Sequence, residues 1–414
     1  MASTLYRLHT HLWRARNQSL FPAVIGARWM SNSQSPLSDI QHGRLEINKT
    51  STPKKLPALE TLKFGHNFTD HMLVIPWNSS QGWGTPEIKP YGPLSLDPSS
   101  TVFHYAQCIF EGLKAYRNKK GKVTLFRPDL NMARMNLSAH RLALPTFNGA
   151  AFLDLIKELV RLERHWIPQE NGHSLYIRPV MIGTQNTIGI SPPDSALLFV
   201  ICSPVGPYYP DGFKPVALHG TTEYVRAYPG GTGAYKIGAN YAPGVFPQKQ
   251  AAKSGYVQNL WLSGPEHNLT EVGTMNLFVV FRQEDGTLEL VTPPLDGMIL
   301  PGVTRDSILS LARSHAAGTL RLPNLTSKLV ISERGVTMKE VCDAVQSGRL
   351  VEMFGAGTAA IVSPINRIGY QGKDIEIPVE DNGMGPVSRP IWADLVARQT
   401  GEVESDWSVV VYEE

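Results

Sequence analysis

The stretch Gly-Gly-Thr-Gly-Ala-Tyr-Lys-Ile-Gly-Ala-Asn-Tyr at residues 230–241 surrounds a single lysine, Lys236, with glycines. Glycine-rich loops of this kind are typical of phosphate sites, because several backbone N–H groups can converge on one anion. The segment is not a P-loop, since that motif ends in Gly-Lys-Ser/Thr and this one ends in Tyr-Lys-Ile. A nucleoside-triphosphate site of that type is therefore excluded, and the lysine needs another interpretation.

Two further segments could bind a phosphate. Residues 355–360, Gly-Ala-Gly-Thr-Ala-Ala, match the G-x-G-x-x-A fingerprint, but the apolar pair Ile361-Val362 follows them instead of a long helix. This context disfavours a dinucleotide-binding fold. The remaining interpretation is a phosphate cup, meaning a loop whose backbone N–H groups surround a single phosphate. The turn Pro301-Gly302-Val303-Thr304 enters a predicted helix, and it reads either as a second phosphate cup or as an ordinary N-cap at Thr304.

Composition describes an ordinary globular protein. The chain has 414 residues, 42% of them hydrophobic and 18% charged, which excludes wholesale disorder and predicts two domains. The longest apolar run, Ala196 to Cys202, is too short to cross a bilayer, so no membrane span is predicted. The cysteines Cys108, Cys202 and Cys342 lie far apart and do not have the spacing of metal ligands. We therefore expect a reduced compartment, and we do not expect a metal site.

The N-terminus differs from the rest of the chain in charge. Residues 1–38 contain four arginines and no acid, a composition typical of a mitochondrial presequence, which we assign to residues 1–30. This predicts a mitochondrial matrix protein; the alternative is a disordered tail without a targeting role. Removing residues 1–30 leaves 35 basic and 36 acidic residues, a near-neutral body that disfavours binding to nucleic acid.

Strands and helices mix along the chain without a strict βαβ rhythm, which predicts an α+β fold with two domains. Proline and glycine cluster at residues 204–213, the predicted interdomain linker between a domain at 52–203 and a second domain at 214–414. Alternation, helical periodicity and proline positions predict strands at 71–77, 112–116, 123–127, 174–182, 196–202, 256–262, 276–282 and 288–291, and helices at 128–142, 152–166, 304–315 and 390–398.

The run from Gly231 to Tyr241 resembles the branched-chain amino-acid aminotransferases, which are fold-type IV pyridoxal-phosphate enzymes. A second segment carries the same resemblance: Leu269-Thr270-Glu271-Val272-Gly273-Thr274-Met275-Asn276. Similar segments follow in the family's order between Phe64 and Trp407: Phe110-Glu111-Gly112, Phe126-Arg127-Pro128, Leu175-Tyr176-Ile177-Arg178-Pro179, Pro294-Leu295-Asp296-Gly297 and Glu404-Ser405-Asp406-Trp407. The resemblance implies a smaller N-terminal α/β domain, a larger C-terminal β-rich domain, pyridoxal 5′-phosphate as cofactor and a homodimer. The implied reaction moves the amino group of leucine, isoleucine or valine to 2-oxoglutarate, giving the branched 2-oxo acid and glutamate.

The resemblance assigns the cofactor site residue by residue. Lys236 matches the family's lysine, whose amine binds the cofactor aldehyde and later moves a proton. Glu271 matches the acid that keeps the pyridine nitrogen protonated, so that the ring can act as an electron sink. The other implied cofactor contacts are Tyr241 for the ring hydroxyl, Arg134 for the phosphate, and Val303, Thr304 and Thr358 for the backbone part of the phosphate cup.

The implied substrate site has three parts. Phe64, Phe110 and Tyr176 match its apolar wall, although packing in an apolar core would explain these aromatic residues equally well. The Thr274 and Ala359 neighbourhoods match the backbone donors to the α-carboxylate, and Arg178 matches the group that binds the second carboxylate of glutamate or 2-oxoglutarate. The segments implied to reach the partner subunit's site contain Tyr105, Ile188 and Ile190.

One family feature is absent, and three alternatives remain. Some relatives carry a Cys-x-x-Cys pair after the glycine-rich cup, but this chain has Ala360 and Ser363 there, which puts that thiol regulation in doubt.

A D-amino-acid aminotransferase and an aminodeoxychorismate lyase share the fold, and a non-catalytic cofactor-binding protein is the third alternative. The segments 175–180 and 270–276 favour the branched-chain group, and the presence of both Lys236 and Glu271 favours catalysis.

Overall fold

The computed structural model describes residues 37–207, 214–381 and 383–413. The predicted presequence at residues 1–30, and residues 208–213 of the predicted linker, lie outside the described residues. The assignment of residues 52–203 and 214–414 to two domains stays a prediction. No helix within the described ranges has the length and apolar character needed to span a membrane.

The first sheet, within the described residues, has ten strands: β1 (Glu46–Ile47), β2 (His71–Asn78), β3 (Gly82–Trp83), β4 (Glu87–Pro90), β5 (Cys108–Phe110), β6 (Leu113–Arg117), β7 (Val123–Phe126), β8 (Ser174–Gly183), β9 (Ser195–Val205) and β19 (Ser408–Tyr412). Its main order is β1-β4-β2-β9-β8-β6-β7-β19, with β3 beside β2 and β5 beside β8. Neighbours are antiparallel except β1 and β4. The C-terminal strand thus joins the sheet built from the first half of the chain.

The second sheet has nine strands among the described residues: β10 (Val216–Thr221), β11 (Gln258–Ser263), β12 (Asn268–Val272), β13 (Met275–Arg282), β14 (Leu288–Thr292), β15 (Leu329–Glu333), β16 (Leu350–Gly357), β17 (Ile361–Tyr370) and β18 (Lys373–Glu376). Its order is β12-β11-β10-β17-β16-β13-β14-β15, and β18 pairs with β17. Because β12 also pairs with β13, six of these strands form a closed ring.

Seven α-helices cover the sheets in the described part of the chain: α1 (Thr101–Tyr105), α2 (Pro128–Arg141), α3 (Gly149–Leu162), α4 (Val245–Lys253), α5 (Val303–Ala316), α6 (Met338–Gln346) and α7 (Ser388–Gln399). Five short 3₁₀ segments accompany them there: His42–Arg44, Leu59–Thr61, Arg164–Trp166, Gly238–Asn240 and Ala242–Gly244. Helix α3 begins where the Asn148 side chain accepts a hydrogen bond from the N–H of Ala151, and it buries Phe152, Leu155 and Leu159 against the first sheet.

Helix α2, which carries Arg134, begins for local reasons. Pro128 stands in its first turn, where the missing N–H costs little. The preceding residue, Arg127, has a left-handed backbone with φ of 46°, and its N–H donates to the carbonyl of Trp407 at 2.7 Å. The distant Trp407 segment therefore fixes the direction in which α2 leaves the sheet.

Every predicted strand and helix overlaps an observed element of the same type. The predicted helix at 152–166 ends as an α-helix at Leu162 and continues as a 3₁₀ turn, Arg164–Trp166. Helices α1, α4 and α6 were not predicted. Helix α1 has five residues and α4 buries only Pro247 and Ala251, so the helical period is weak in both. Helix α6 buries Met338, Val341 and Ala344 at helical spacing, so its sequence did carry a helical signal.

Candidate active site

Lys236 lies where the two halves of the fold meet, held through its backbone. Its N–H donates to Oγ of Ser138 on α2 at 2.9 Å, and its carbonyl accepts from the N–H of Phe110 on β5 at 3.1 Å. The next residue, Ile237, forms an isolated bridge with Ile109 of the same strand. The lysine segment follows β10 of the second sheet in sequence, yet it is attached to the first sheet.

The glycines and Asn240 determine the shape of the lysine loop. A Cβ at Gly233 would stand 2.2 Å from the carbonyl oxygen of Met298, so only glycine allows this close approach. Asn240 donates to the carbonyls of Thr232 at 2.8 Å and Tyr235 at 2.9 Å and closes the loop across its base. The loop is rigid because each end is bonded to the other and to neighbouring backbone.

The amine of Lys236 points into an aromatic pocket. Nζ donates to the hydroxyl of Tyr241 at 3.1 Å and lies 4.6 Å from the ring centroid of Phe110. Phe110 and Tyr241 contact each other edge to face, with centroids 4.8 Å apart. A half-buried amine beside a phenol suits covalent attachment to an aldehyde, because a neighbouring hydroxyl can accept or return its proton.

Glu271, the next-to-last residue of β12, is a buried carboxylate with three partners. Its Oε2 pairs with Nε of Arg226 at 2.6 Å, and its Oε1 accepts from Nδ2 of Asn276 and from the N–H of Leu300, each at 3.0 Å. Burial raises the pKa of Glu271 above its ordinary value, although Arg226 opposes this and the charge of Lys236 does so more weakly. The carboxylate is therefore desolvated, oriented and electrostatically coupled to the lysine.

Arg134 and Glu111 form a buried ion pair. Nε and Nη2 of Arg134 donate to the two carboxylate oxygens of Glu111 at 2.7 and 2.8 Å, while Nη1 donates to the carbonyl of Pro301 at 3.0 Å. Burial alone would raise the pKa of Glu111, but the charge and hydrogen bonds of Arg134 outweigh it and keep that pKa below its usual range. This fixed arginine lies at the turn that leads into α5.

The N-terminus of α5 provides the second part of a phosphate cup. The helix begins at Val303 and Thr304 after Gly302, and its first-turn N–H groups have no acceptor within the helix. A Cβ at Gly302 would lie 2.0 Å from Oδ1 of Asn276, so the turn requires glycine. A fixed arginine beside a helix N-terminus is well suited to a phosphate.

Arg178 and Tyr176 lie on the same face of β8, next to Phe110. Nη2 of Arg178 donates to the Tyr176 hydroxyl at 3.1 Å, and the guanidinium lies 4.9 Å from the Phe110 ring centroid. Phe64 packs edge to face on Tyr176 at 4.8 Å. Nε of Arg178 is buried and has no hydrogen-bond partner among the described residues, so the pocket holds an unsatisfied cationic donor.

The remaining predicted donors lie on turns around this pocket. Thr358 and Ala359 follow β16, and the carbonyl of Ala359 accepts a hydrogen bond from Nζ of Lys114 on β6 at 2.8 Å. Thr274 is exposed, and it lines a cavity of about 300 Å³ together with Tyr241 and Arg226. The shared cavity places Thr274 beside Tyr241 of the lysine pocket, whereas the contact given for Ala359 is with Lys114.

The structure does not join the predicted partner-facing residues to the lysine pocket within one chain. The hydroxyl of Tyr105 donates to the carbonyl of Ile188, and the two lie together on the surface. Ile188 and Ile190 are 72% and 82% exposed, the highest values among the large apolar side chains that the structure describes as exposed. Such a patch is typical of a surface that another molecule covers.

Sequence reasoning missed three charged residues: Glu111, Arg226 and Lys114. Glu111 belongs to the quoted segment Phe110-Glu111-Gly112, and its position between apolar strand residues was a signal that it is buried. Lys114 alternates with Tyr116 on a mostly apolar strand, which was a weaker signal. Arg226 lies in an irregular segment between elements and carried no signal.

Comparison with known proteins gives consistent matches. A family model described as amino-transferase class IV matches residues 108–368. The chain is 52% identical to the mitochondrial branched-chain-amino-acid aminotransferase of Saccharomyces cerevisiae over 371 residues, which cover 89% of this chain and 92% of that protein. It is 51% identical to the cytosolic one over 378 residues, covering 91% of this chain and 98% of that protein.

A solved structure shares the fold. The branched-chain amino acid aminotransferase from Thermobaculum terrenum in its PLP form has a TM-score of 0.62 at 21% identity. The match covers 83% of this chain and 98% of that chain. The likeness extends across both sheets described above, because it covers most of the residues that form them.

Proposed function

Because this chain belongs to the branched-chain-amino-acid aminotransferases of aminotransferase class IV, we propose that it binds pyridoxal 5′-phosphate at Lys236 and transfers the amino group through the residues described above. The observation that carries this assignment is the amine of Lys236, which lies 3.1 Å from the Tyr241 hydroxyl and is coupled in charge to the buried Glu271. The Thermobaculum terrenum protein of the same fold is described in a PLP form, which supports this choice of cofactor.

The residues of this site fit that cofactor. Arg134 and the N-terminus of α5, at Val303 and Thr304, would hold the phosphate together with the backbone at Thr358. Tyr241 would hold the ring hydroxyl, and Glu271 would hold the ring nitrogen. The bound cofactor supplies an electron sink for the electron pair that remains on the substrate's Cα after that atom loses its proton.

Lys236 has two tasks in this proposal. Its amine would hold the cofactor covalently, and once free it would take the proton from the substrate's Cα. The Tyr241 hydroxyl and the Phe110 ring keep the amine directed into the pocket. Arg226 opposes the upward shift that burial gives the pKa of Glu271, and the carboxylate would hold the ring nitrogen in its protonated form.

The pocket accommodates both an aliphatic and an acidic side chain. Phe64, Phe110 and Tyr176 provide the apolar wall that a branched side chain needs. The distal carboxylate of 2-oxoglutarate would pair with Arg178, whose Nε is buried and unpartnered. Backbone donors near Thr274 and Ala359 would bind the α-carboxylate that both substrates share.

Single-turnover spectroscopy tests this assignment. Leucine added to the holoenzyme should shift the cofactor's absorbance, and 2-oxoglutarate should restore it. Borohydride reduction of the resting enzyme should fix the cofactor on the peptide that contains Lys236, and Lys236→Ala should abolish both half-reactions. Lys214→Ala is the control and should retain them. Labelling of another lysine would remove Lys236 from its proposed role.

We further propose a homodimer in which Tyr105, Ile188 and Ile190 of one subunit cover the active site of the other. The exposure of these three apolar side chains, and the hydrogen bond that holds Tyr105 against Ile188, support this arrangement. Sedimentation should give the mass of two chains. Ile188→Asp with Ile190→Asp should yield monomers that lose transamination, whereas dimers with full activity would contradict the proposal.

We also propose that residues 1–30 direct the protein to mitochondria. The arginine-rich, acid-free composition supports this, but relatives with similar identity carry both mitochondrial and cytosolic names. A reporter fused to residues 1–38 should enter mitochondria, and a fusion with the four arginines changed to glutamine should remain in the cytosol. A cytosolic reporter from the native segment would contradict the proposal.

A further inference from the structure

A second cavity, of about 330 Å³, lies beyond the Thr358–Ala360 turn from the lysine pocket. It shares none of its lining residues with the set Lys236, Tyr241, Phe110, Tyr176 and Arg178. Its walls come from the β6–β7 hairpin, from the segment at residues 169–173, from helix α7 with the two residues Thr400 and Glu402 beyond it, and from the turn itself. The volume lies in the range of small-molecule sites.

Lys114 stands at the inner end of this cavity and is 8% exposed. The one hydrogen-bond partner that the described residues give its ammonium is the neutral carbonyl of Ala359 at 2.8 Å. Burial lowers the pKa of Lys114 to about 8. Two carboxylates, Glu170 and Glu402, also line the cavity, but among the described residues neither forms an ion pair with Lys114. A buried ammonium with unused donors and no anionic partner is costly unless a ligand supplies the anion.

The same cavity contains an unsatisfied acceptor. Gln399 on α7 is 5% exposed, and its Oε1 is buried without a hydrogen-bond partner among the described residues. The lining also contains apolar and aromatic side chains, among them those of Tyr116, Trp392 and Val396. The site thus offers a cationic donor, a separate acceptor and flat apolar walls.

From this arrangement we propose that the cavity binds a small aromatic carboxylate carrying an N–H or O–H donor. The carboxylate pairs with the ammonium of Lys114, the ring packs against the face of α7 that carries Trp392 and Val396, and the ligand's donor bonds to Oε1 of Gln399. An isolated carboxylate without a ring would leave the apolar walls uncovered, and a neutral aromatic ring would leave the ammonium unpaired. Both features are therefore required.

Occupancy of the cavity affects the active site through Ala359. This consequence rests on the proposed function, in which the backbone at Ala359 binds the substrate's α-carboxylate. A ligand that packs behind the turn and holds Lys114 against the Ala359 carbonyl restricts the turn's motion, so the substrate loses less entropy when it binds. The KM for leucine should fall about fivefold, the lower end of allosteric coupling, while kcat stays unchanged.

The test uses indole-3-acetate as the probe on the holoenzyme, measured by titration calorimetry. Indole-3-acetamide lacks the charge and 1-methylindole-3-acetate lacks the donor, and each should bind about tenfold more weakly, the scale of one lost hydrogen bond to a buried group. Val396→Trp fills part of the cavity from helix α7, so it should abolish binding of the probe. Lys119→Met removes an exposed lysine from the rim and should bind the probe normally.

Three results would overturn the proposal. The first is equal binding of the acid and the amide; the second is binding that survives both Val396→Trp and Lys114→Met. The third is a KM for leucine that rises with probe concentration, because this identifies competition in the lysine pocket. The binding measurements need no turnover, so a failure of this proposal is distinguishable from a failure of the proposed function, which the two half-reactions test separately.

Discussion

Glu111→Gln tests whether the buried pair with Arg134 organises the phosphate cup. The carboxylate of Glu111 is fully buried and accepts four hydrogen bonds, two of them from the arginine and one from Nδ2 of Asn131 at 2.8 Å. Glutamine has nearly the same shape but carries one NH₂ group. That group would face the N–H donors of Arg134 and Asn131, so at least one pair of donors would oppose each other.

The expected cost follows from what remains in the site. The substitution leaves the guanidinium of Arg134 buried without a counter-charge, and breaking one side of a buried ion pair costs about 3–5 kcal/mol. The whole stability of a domain is about 5–15 kcal/mol, so the variant should unfold at much lower urea concentration. The arginine also loses its fixed orientation, so affinity for pyridoxal phosphate should fall by about 1.5–3 kcal/mol, the scale of a charged hydrogen bond.

Two measurements check this prediction. Urea unfolding of the apoenzyme gives the free energy of unfolding, and quenching of intrinsic fluorescence by added pyridoxal phosphate gives its affinity. Glu340→Gln is the matched control, because Glu340 pairs with Arg334 at 2.8 Å while both side chains are about one-third exposed. The control should lose at most about 1 kcal/mol. If Glu111→Gln behaves like the control in both measurements, the pair neither stabilises the fold nor orients Arg134.

Three other substitutions give separate tests. Arg178→Met should retain most of the leucine half-reaction. For 2-oxoglutarate the variant should lose about 2–5 kcal/mol of stabilisation, measured by single-turnover rates, because one side of a desolvated charge pair is gone. Equal losses for both substrates would contradict the role of Arg178. Arg226→Met leaves Glu271 buried without a counter-charge, so the free energy of unfolding of the apoenzyme in urea should fall by about 3–5 kcal/mol. Arg226→Lys keeps the positive charge and should lose less. Equal losses for the two variants would show that the charge of Arg226 does not stabilise the fold. Lys114 has a folded pKa of about 8, below its value of 10.5 in an unfolded chain, so the unfolded chain holds the extra proton between these values and stability should rise with pH. From pH 7 to 10.5 the wild type should gain about 3 kcal/mol relative to Lys114→Met, and parallel stability curves would contradict the buried state of Lys114.

Contiguous patterns predicted the four longest α-helices and fewer than half of the strands that the structure describes. Alternating strands such as β2 and periodic helices such as α3 report directly on which residues face a core, because the period of the chain matches the period of burial. The lysine loop was predictable for a similar reason. Glycines, Asn240 and Lys236 lie within a dozen residues, and the resemblance that they carry brought the cofactor and the reaction with it.

Contacts between distant segments were decided by the tertiary structure alone. The Arg134–Glu111 pair joins residues 23 apart, and the Lys114–Ala359 contact joins residues 245 apart. The strand pattern indicates which face of the sheet carries Lys114. It does not indicate which distant residues pack against that face. Arg226 lies in no regular element, so no periodicity reports its burial. The sequence by itself determined the local elements and the chemistry of the lysine loop. The fold decided which charges are desolvated together, because the energy of a buried charge depends on its neighbours in space and not on its neighbours along the chain.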